Sequence, residues 1–157
     1  MQKKKELYLI LDNIRSTYNV GAIFRTADAA GVTKIYLSGV TPAPTDKFNR
    51  VNGSIAKTAL GAELSVPWES VKTTASLIKK LQKSGVQVVS LEQDANSIDY
   101  KKFKPQFPCA VVLGEETIGI PKSILKLCDA IIEIPMRGSK ESLNVSVATG
   151  VILFQIL

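Results

Sequence analysis

A helix that is apolar on every side must be covered on every side, and the end of this chain reads as such a helix. From Leu143 to Leu157 apolar residues lie all round, interrupted mainly by the small residues Ser146, Thr149 and Gly150. In a chain of 157 residues, this predicts one face on the protein's own sheet and the other on a second subunit. Ala130–Ile134 before it reads as a strand, and 135–144 as a polar loop with Ser142 as the expected N-cap. A strand–loop–helix junction aims several free backbone N–H groups at one place, a common way to hold a ligand with acceptor atoms.

The rest of the chain alternates short apolar runs with helical patterns. Strands are expected at Leu7–Leu11, Lys34–Ser38, Glu63–Trp68, Val86–Leu91, Pro108–Leu113 and Ala130–Ile134. Helices are expected from Asn19-Val20-Gly21 through Ala30, within 47–61, over Glu69–Lys83, and after Pro121 as an N1 proline. Gly31 is read as the first helix's stop and Ile98-Asp99-Tyr100 as a short turn. Such alternation predicts an α/β fold: a mainly parallel sheet of about six strands with helices on both faces. Residues 1–157 are read as a single domain. Ligands of such sheets sit at the carboxyl ends of the strands, which singles out the loops 12–25, 114–119 and 135–144.

Composition narrows the chemistry. The net charge of +6 favours a polyanionic partner such as nucleic acid. There is no His, so the usual neutral-pH base and the commonest metal ligand are missing, and no metal is expected. Two Cys, at 109 and 128, make no disulfide framework and fit a reducing, cytoplasmic setting. No run is long enough to span a membrane, and the basic start Met1-Gln2-Lys3-Lys4-Lys5 lacks a signal-peptide core. Lys79, Lys80 and Lys83 are read as a solvated helix face. Gly114–Gly119 is not the dinucleotide fingerprint, and Arg137-Gly138-Ser139-Lys140 is not a phosphate-binding P-loop. What is on offer is an Arg on a helix, Glu115 and Glu116 in a tight loop, and Ser and Asn at a helix start. That set can orient a sugar hydroxyl and a phosphate and cradle a neutral or cationic small ligand.

Three stretches, in order, carry a resemblance. Asn19-Val20-Gly21-Ala22-Ile23-Phe24-Arg25-Thr26-Ala27 is the first. Leu113-Gly114-Glu115-Glu116-Thr117-Ile118-Gly119-Ile120-Pro121 is the second. Ile134-Pro135-Met136-Arg137-Gly138 with Ser142-Leu143-Asn144-Val145-Ser146-Val147-Ala148 is the third. Together they resemble the signature motifs of the SpoU (TrmH-like) RNA 2′-O-methyltransferases of the SPOUT superfamily. The resemblance implies a C-terminal deep trefoil knot, a homodimer, an RNA substrate (tRNA or rRNA) and S-adenosylmethionine as methyl donor, with S-adenosylhomocysteine as product. It implies cofactor contacts around Leu91, Leu113, Gly114, Ile134, Met136 and Leu143, and catalytic roles for Asn19, Arg25, Glu116, Ser142 and Asn144. A guanidinium stays protonated, so the role chemistry supports for Arg25 is to hold a phosphate and stabilise charge developing on O2′. No separate RNA-binding domain is expected, which leaves Arg15, Lys47, Arg50, Lys57, Arg137 and Lys140 to rim the site. The alternatives are a base-methylating SPOUT enzyme and a non-catalytic RNA-binding protein on the same scaffold.

Overall fold

Leu9 and Ile10 are neighbours in the chain, and both are fully buried. Successive strand residues face opposite sides, so this strand must be covered on both. The structure, a computed structural model, describes residues 4–157; Met1-Gln2-Lys3 of the basic start lies outside the described residues. Among these, β1 (Leu7–Asp12), β2 (Lys34–Ser38), β3 (Trp68–Val71), β4 (Gln87–Leu91), β5 (Ile98–Asp99), β6 (Cys109–Gly114) and β7 (Ala130–Glu133) form one sheet. Its order is β3-β2-β1-β6-β4-β7-β5, and every pairing is parallel. The helices are α1 (Thr17–Ala30), α2 (Gly53–Ala59), α3 (Ala62–Ser65), α4 (Thr74–Lys83), α5 (Lys122–Leu125) and α6 (Val145–Ile156).

The alternation of side chains divides the core in two. Leu7, Leu9, Leu11, Cys109, Val111 and Leu113 pack with α1, α2, α3 and α6. Ile10, Val88, Ala110 and Val112 pack with α4 and α5 on the other face. Helices therefore cover both faces, as expected. Close approach of α1 and α2 depends on Gly21: a Cβ there would lie 1.9 Å from Thr58 Oγ1 and 2.4 Å from the Ile55 carbonyl.

Several local expectations are corrected. The sheet has seven strands, because Ile98–Asp99, read as a turn, pairs with Ile132 and Glu133 of β7. The third strand runs over Trp68–Val71, and Ala62–Ser65 is a helical turn. Pro67 cannot donate to a ladder, but its carbonyl accepts from Ile35 N at 2.9 Å, and pairing with β2 begins at Trp68. Helix α4 accordingly starts at Thr74, with Thr73 Oγ1 accepting from Ser76 N. Helix α1 starts at Thr17, before Asn19, because Ser16 caps it. Pro121 sits at the cap position of α5, outside its first turn. Ser142 is not the cap of α6. Asn144 is, its Oδ1 accepting from Ser146 N at 2.9 Å and Val147 N at 3.4 Å. Gly31 ends α1 in the left-handed conformation (φ 81°), and Lys79, Lys80 and Lys83 are exposed.

Candidate active site

Parallel strands in register deliver their carboxyl ends to one edge. Asp12 of β1 pairs with Gly114 of β6, Leu91 of β4 with Leu113, and Leu91 with Ile132 of β7. The loops leaving these ends meet, and their meeting point is the Glu116 carboxylate. Its Oε1 accepts from Asn19 Nδ2 (3.1 Å), Asn144 Nδ2 (3.0 Å) and Val145 N (3.1 Å). Asn144 Nδ2 also approaches Asn19 Oδ1 at 3.2 Å. Two of the three motifs reach the cluster through helix starts: Asn19 lies in the first turn of α1, and Asn144 caps α6. A carboxylate at the amino end of α6 is favoured by the helix dipole and takes up an otherwise free N–H.

One side of this cluster opens on a cavity. Leu91, Leu113, Gly114, Ile134, Met136 and Leu143, the expected cofactor contacts, all line it, and so does Ser142. Four carboxylates, Glu92, Glu115, Glu116 and Glu133, share the lining, and no Lys or Arg does. Such a cavity suits a ligand with an apolar ring and positive charge, and offers no cation to pair with a pyrophosphate. Gly114 earns its place through the protein's own loop: a Cβ there would lie 2.6 Å from Ile120 Cγ1 and 2.9 Å from the Gly119 carbonyl carbon. The other side of the cluster is a second pocket, whose lining includes the polar residues Arg15, Ser16, Asn19, Glu115, Glu116 and Thr117 together with Ile14 and Val145. Glu115, Glu116 and Val145 line both hollows and form the wall between them.

Asn19, Glu116 and Asn144 are thus brought together, with Ser142 at the cavity wall. Arg25 is not. Six residues after Asn19, it lies about 9 Å further along α1 and about 240° around its axis. It sits exposed in a surface depression with Lys57, Thr58, Leu60 and Phe154. Sequence reasoning missed Glu92, whose Oε2 accepts from Ile120 N (2.9 Å) and so holds the second motif's loop over the cavity. Its place directly after a buried strand, at the carboxyl edge, was the available signal. Neither Cys is a nucleophile: burial pushes Cys109 up to about 12 and Cys128 up to about 11.

The model of the family described as "SpoU rRNA Methylase family" matches residues 6–154. The 23S rRNA (guanosine-2'-O-)-methyltransferase RlmB of Ralstonia nicotianae is 40% identical over 153 residues, which cover 95% of this chain and 57% of that protein. The chain thus spans less than two thirds of this relative's length. The AdoMet-bound rRNA methyltransferase from Sinorhizobium meliloti superposes with a TM-score of 0.84 at 33% identity, over 99% of this chain and 57% of that one. The TrmH/SpoU tRNA modifying enzyme of A. aeolicus superposes with a TM-score of 0.82 at 31% identity, over 98% and 75%. Matched by the family model from Glu6 to Phe154, this chain belongs to the SpoU rRNA methylase family.

Proposed function

We propose that this protein transfers the methyl group of S-adenosylmethionine to a ribose 2′-hydroxyl of RNA, leaving S-adenosylhomocysteine. The observation that carries the reading is the Glu116 cluster forming the wall between an acidic, apolar-lined cavity and a second pocket that holds Arg15 and Asn19. Ribosomal RNA is the favoured substrate, since RlmB relatives are named for it. An RNA-directed enzyme with two free thiols fits the cytoplasm.

The residues present fit the cofactor. Leu91, Leu113, Ile134, Met136 and Leu143 supply apolar walls for an adenine, and the four carboxylates favour a sulfonium over an anion. When bound, the cofactor supplies an activated methyl group. The protein's part is alignment and charge. Asn19 and Asn144, fixed by Glu116 Oε1, orient the ribose. Oε1 already accepts three N–H groups, so Oε2 is the oxygen left to accept the proton the 2′-hydroxyl loses. Ser142, at the cavity wall, positions the ribose from the other loop.

Arg25 reaches such a site from a second subunit. Val147 and Phe154 on the outer face of α6 are 53% and 66% exposed, and Leu143, two residues before the helix, continues the exposed apolar stripe. Leu143 lines the cavity, and Phe154 lies beside Arg25. An isologous contact along this stripe sets one subunit's Phe154 end against the other's Leu143 end. Arg25 of each subunit then faces its partner's cavity, holding an RNA phosphate and stabilising charge on O2′. A trefoil knot agrees with the path of the chain, which passes from β7, beyond β4, back to pack α6 on α1.

The test is labelled-methyl transfer to total RNA, followed by nucleoside mass analysis. A 2′-O-methylnucleoside is expected; a methylated base, or no transfer, refutes the reading. Arg25→Ala should abolish transfer and keep cofactor binding. Mixing Arg25→Ala with Glu116→Ala subunits should restore about a quarter of the sites, because each mixed dimer has one complete site. A protein that sediments as a monomer at micromolar concentration would sink the two-subunit site.

A further inference from the structure

Between β2 and α2 a loop holds a phenylalanine out in solvent. Phe48 is 65% exposed, and Val51 beside it 68%. The turn under them is built from several contacts. Asp46 Oδ1 accepts from Phe48 N (2.8 Å) and Arg50 N (3.0 Å), and its Oδ2 takes the Arg50 Nε–H at 2.7 Å. Asn49 takes the left-handed conformation (φ 60°), Thr45 and Val51 form an antiparallel bridge, and Asn52 N donates to the Pro44 carbonyl. Lys47 Nζ and Arg50 Cζ each lie 5.1 Å from the Phe48 ring centroid. Two cations flank a ring that is still mostly open.

The loop is rooted beside the candidate active site. Val40 N donates to Asn13 Oδ1 (3.0 Å), and Thr41 Oγ1 accepts from Ile14 N (3.0 Å). Arg15, Ser16 and Asn19, further along that anchored segment, line the second pocket at Glu116. A solitary exposed apolar residue needs no explanation. A ring presented by a hydrogen-bonded turn, with positive charge beside it, matches the chemistry of an unpaired nucleotide. Its base has a flat face to stack and its phosphates are anionic.

We propose that Phe48 is a stacking platform for an unpaired RNA base, with Lys47 taking the adjoining phosphate. The proposal rests on the RNA reading above and names a point outside the methyl-transfer pocket where the strand is held. Arg50 is partly neutralised by Asp46, which leaves Lys47 as the phosphate-binding cation of the pair.

The test is fluorescence anisotropy with two labelled single-stranded oligoribonucleotides, one of ordinary sequence and one carrying abasic positions, across a salt series. Phe48→Ala should weaken binding of the ordinary strand about tenfold and leave its salt slope unchanged, because stacking is not ionic. Phe48→Trp should restore the affinity. Lys47→Ala should reduce the salt slope by about one unit. Unchanged affinity in Phe48→Ala overturns the proposal. So does an equal loss on the abasic strand, failure of Phe48→Trp to restore binding, or a change in oligomeric state on removing the ring. Wild-type protein that binds RNA through Phe48 but transfers no methyl group refutes the proposed activity and upholds the platform.

Discussion

Removing the Glu116 carboxylate tests both the architecture and the chemistry. Three donors converge on its Oε1 at 3.0 to 3.1 Å. Asn144 is exposed and Asn19 half-buried, so water replaces much of what their amides lose. Val145 is only 7% exposed, and its N–H has little access to another acceptor. Losing a hydrogen bond to a charged acceptor costs about 1.5–3 kcal/mol when buried, and an acidic group at a helix start adds about 0.3–1 kcal/mol. Discounted for the exposed partners, Glu116→Ala should cost about 2 kcal/mol. For a chain of this size that lowers the melting temperature by about 4–8 °C. Glu116→Gln keeps an acceptor oxygen and loses the charge, so about half that drop is expected. Thermal unfolding followed by circular dichroism, at one fixed protein concentration, measures both. Methyl transfer should be lost in both variants, since neither retains a carboxylate oxygen to take the proton. An unshifted melting temperature in Glu116→Ala would refute the three-donor cluster. Full turnover in Glu116→Gln would refute the proton-acceptor role.

Other expectations follow from the same geometry. Gly21→Ala puts a methyl group 2.4 Å from the Ile55 carbonyl; forcing α1 and α2 apart should cost at least about 1–3 kcal/mol, read as a lower denaturant midpoint. Phe154→Glu places a charge on the outer face of α6 and should shift sedimentation toward the monomer without unfolding the chain. With Cys109 at about 12 and Cys128 at about 11, thiolates are scarce at pH 8. A disulfide reagent should therefore react slowly with the native protein and rapidly, with two equivalents, in denaturant; rapid native reaction would contradict the burial. The Lys34 ammonium, 2.7 Å away, holds the Glu69 carboxyl below its usual range. A carboxyl depressed in the folded state adds stability above its unfolded value, about 4.3, and loses it as pH falls through the folded value. The melting-temperature gap between wild type and Glu69→Gln should accordingly be small near pH 7 and close on acidification.

The fold was legible where the pattern had length. Six-residue β1 and β6, buried on both faces, announce a parallel sheet, and Gly31 announces the end of α1. The two-residue β5 carries no period, and only its pairing with β7 makes it a strand. The third strand begins later than its apolar pattern predicts: Val66 is buried but lies before Pro67, and pairing with β2 starts only at Trp68. At the helix start of α6, Ser142 and Asn144 are both good caps by type. Asn144 takes the position in which its side-chain amide also reaches Glu116, a contact no local pattern contains.

By itself, the sequence determined most of the longer elements, the mainly parallel arrangement and the chemical types available: no His, an acidic loop, and Asn and Ser near helix starts. The apolar residues of α6 also run round the whole helix, which is the basis for proposing cover on two sides. Tertiary structure decided which groups meet. Asn19 and Glu116 are 97 residues apart in the chain, and Asn19 and Asn144 are 125 apart. They touch because parallel strands in register end at one edge and direct their loops into one place. Helical rotation, by the same physics, carries Arg25 away from Asn19 and toward the uncovered stripe of α6, where a single chain leaves it facing solvent.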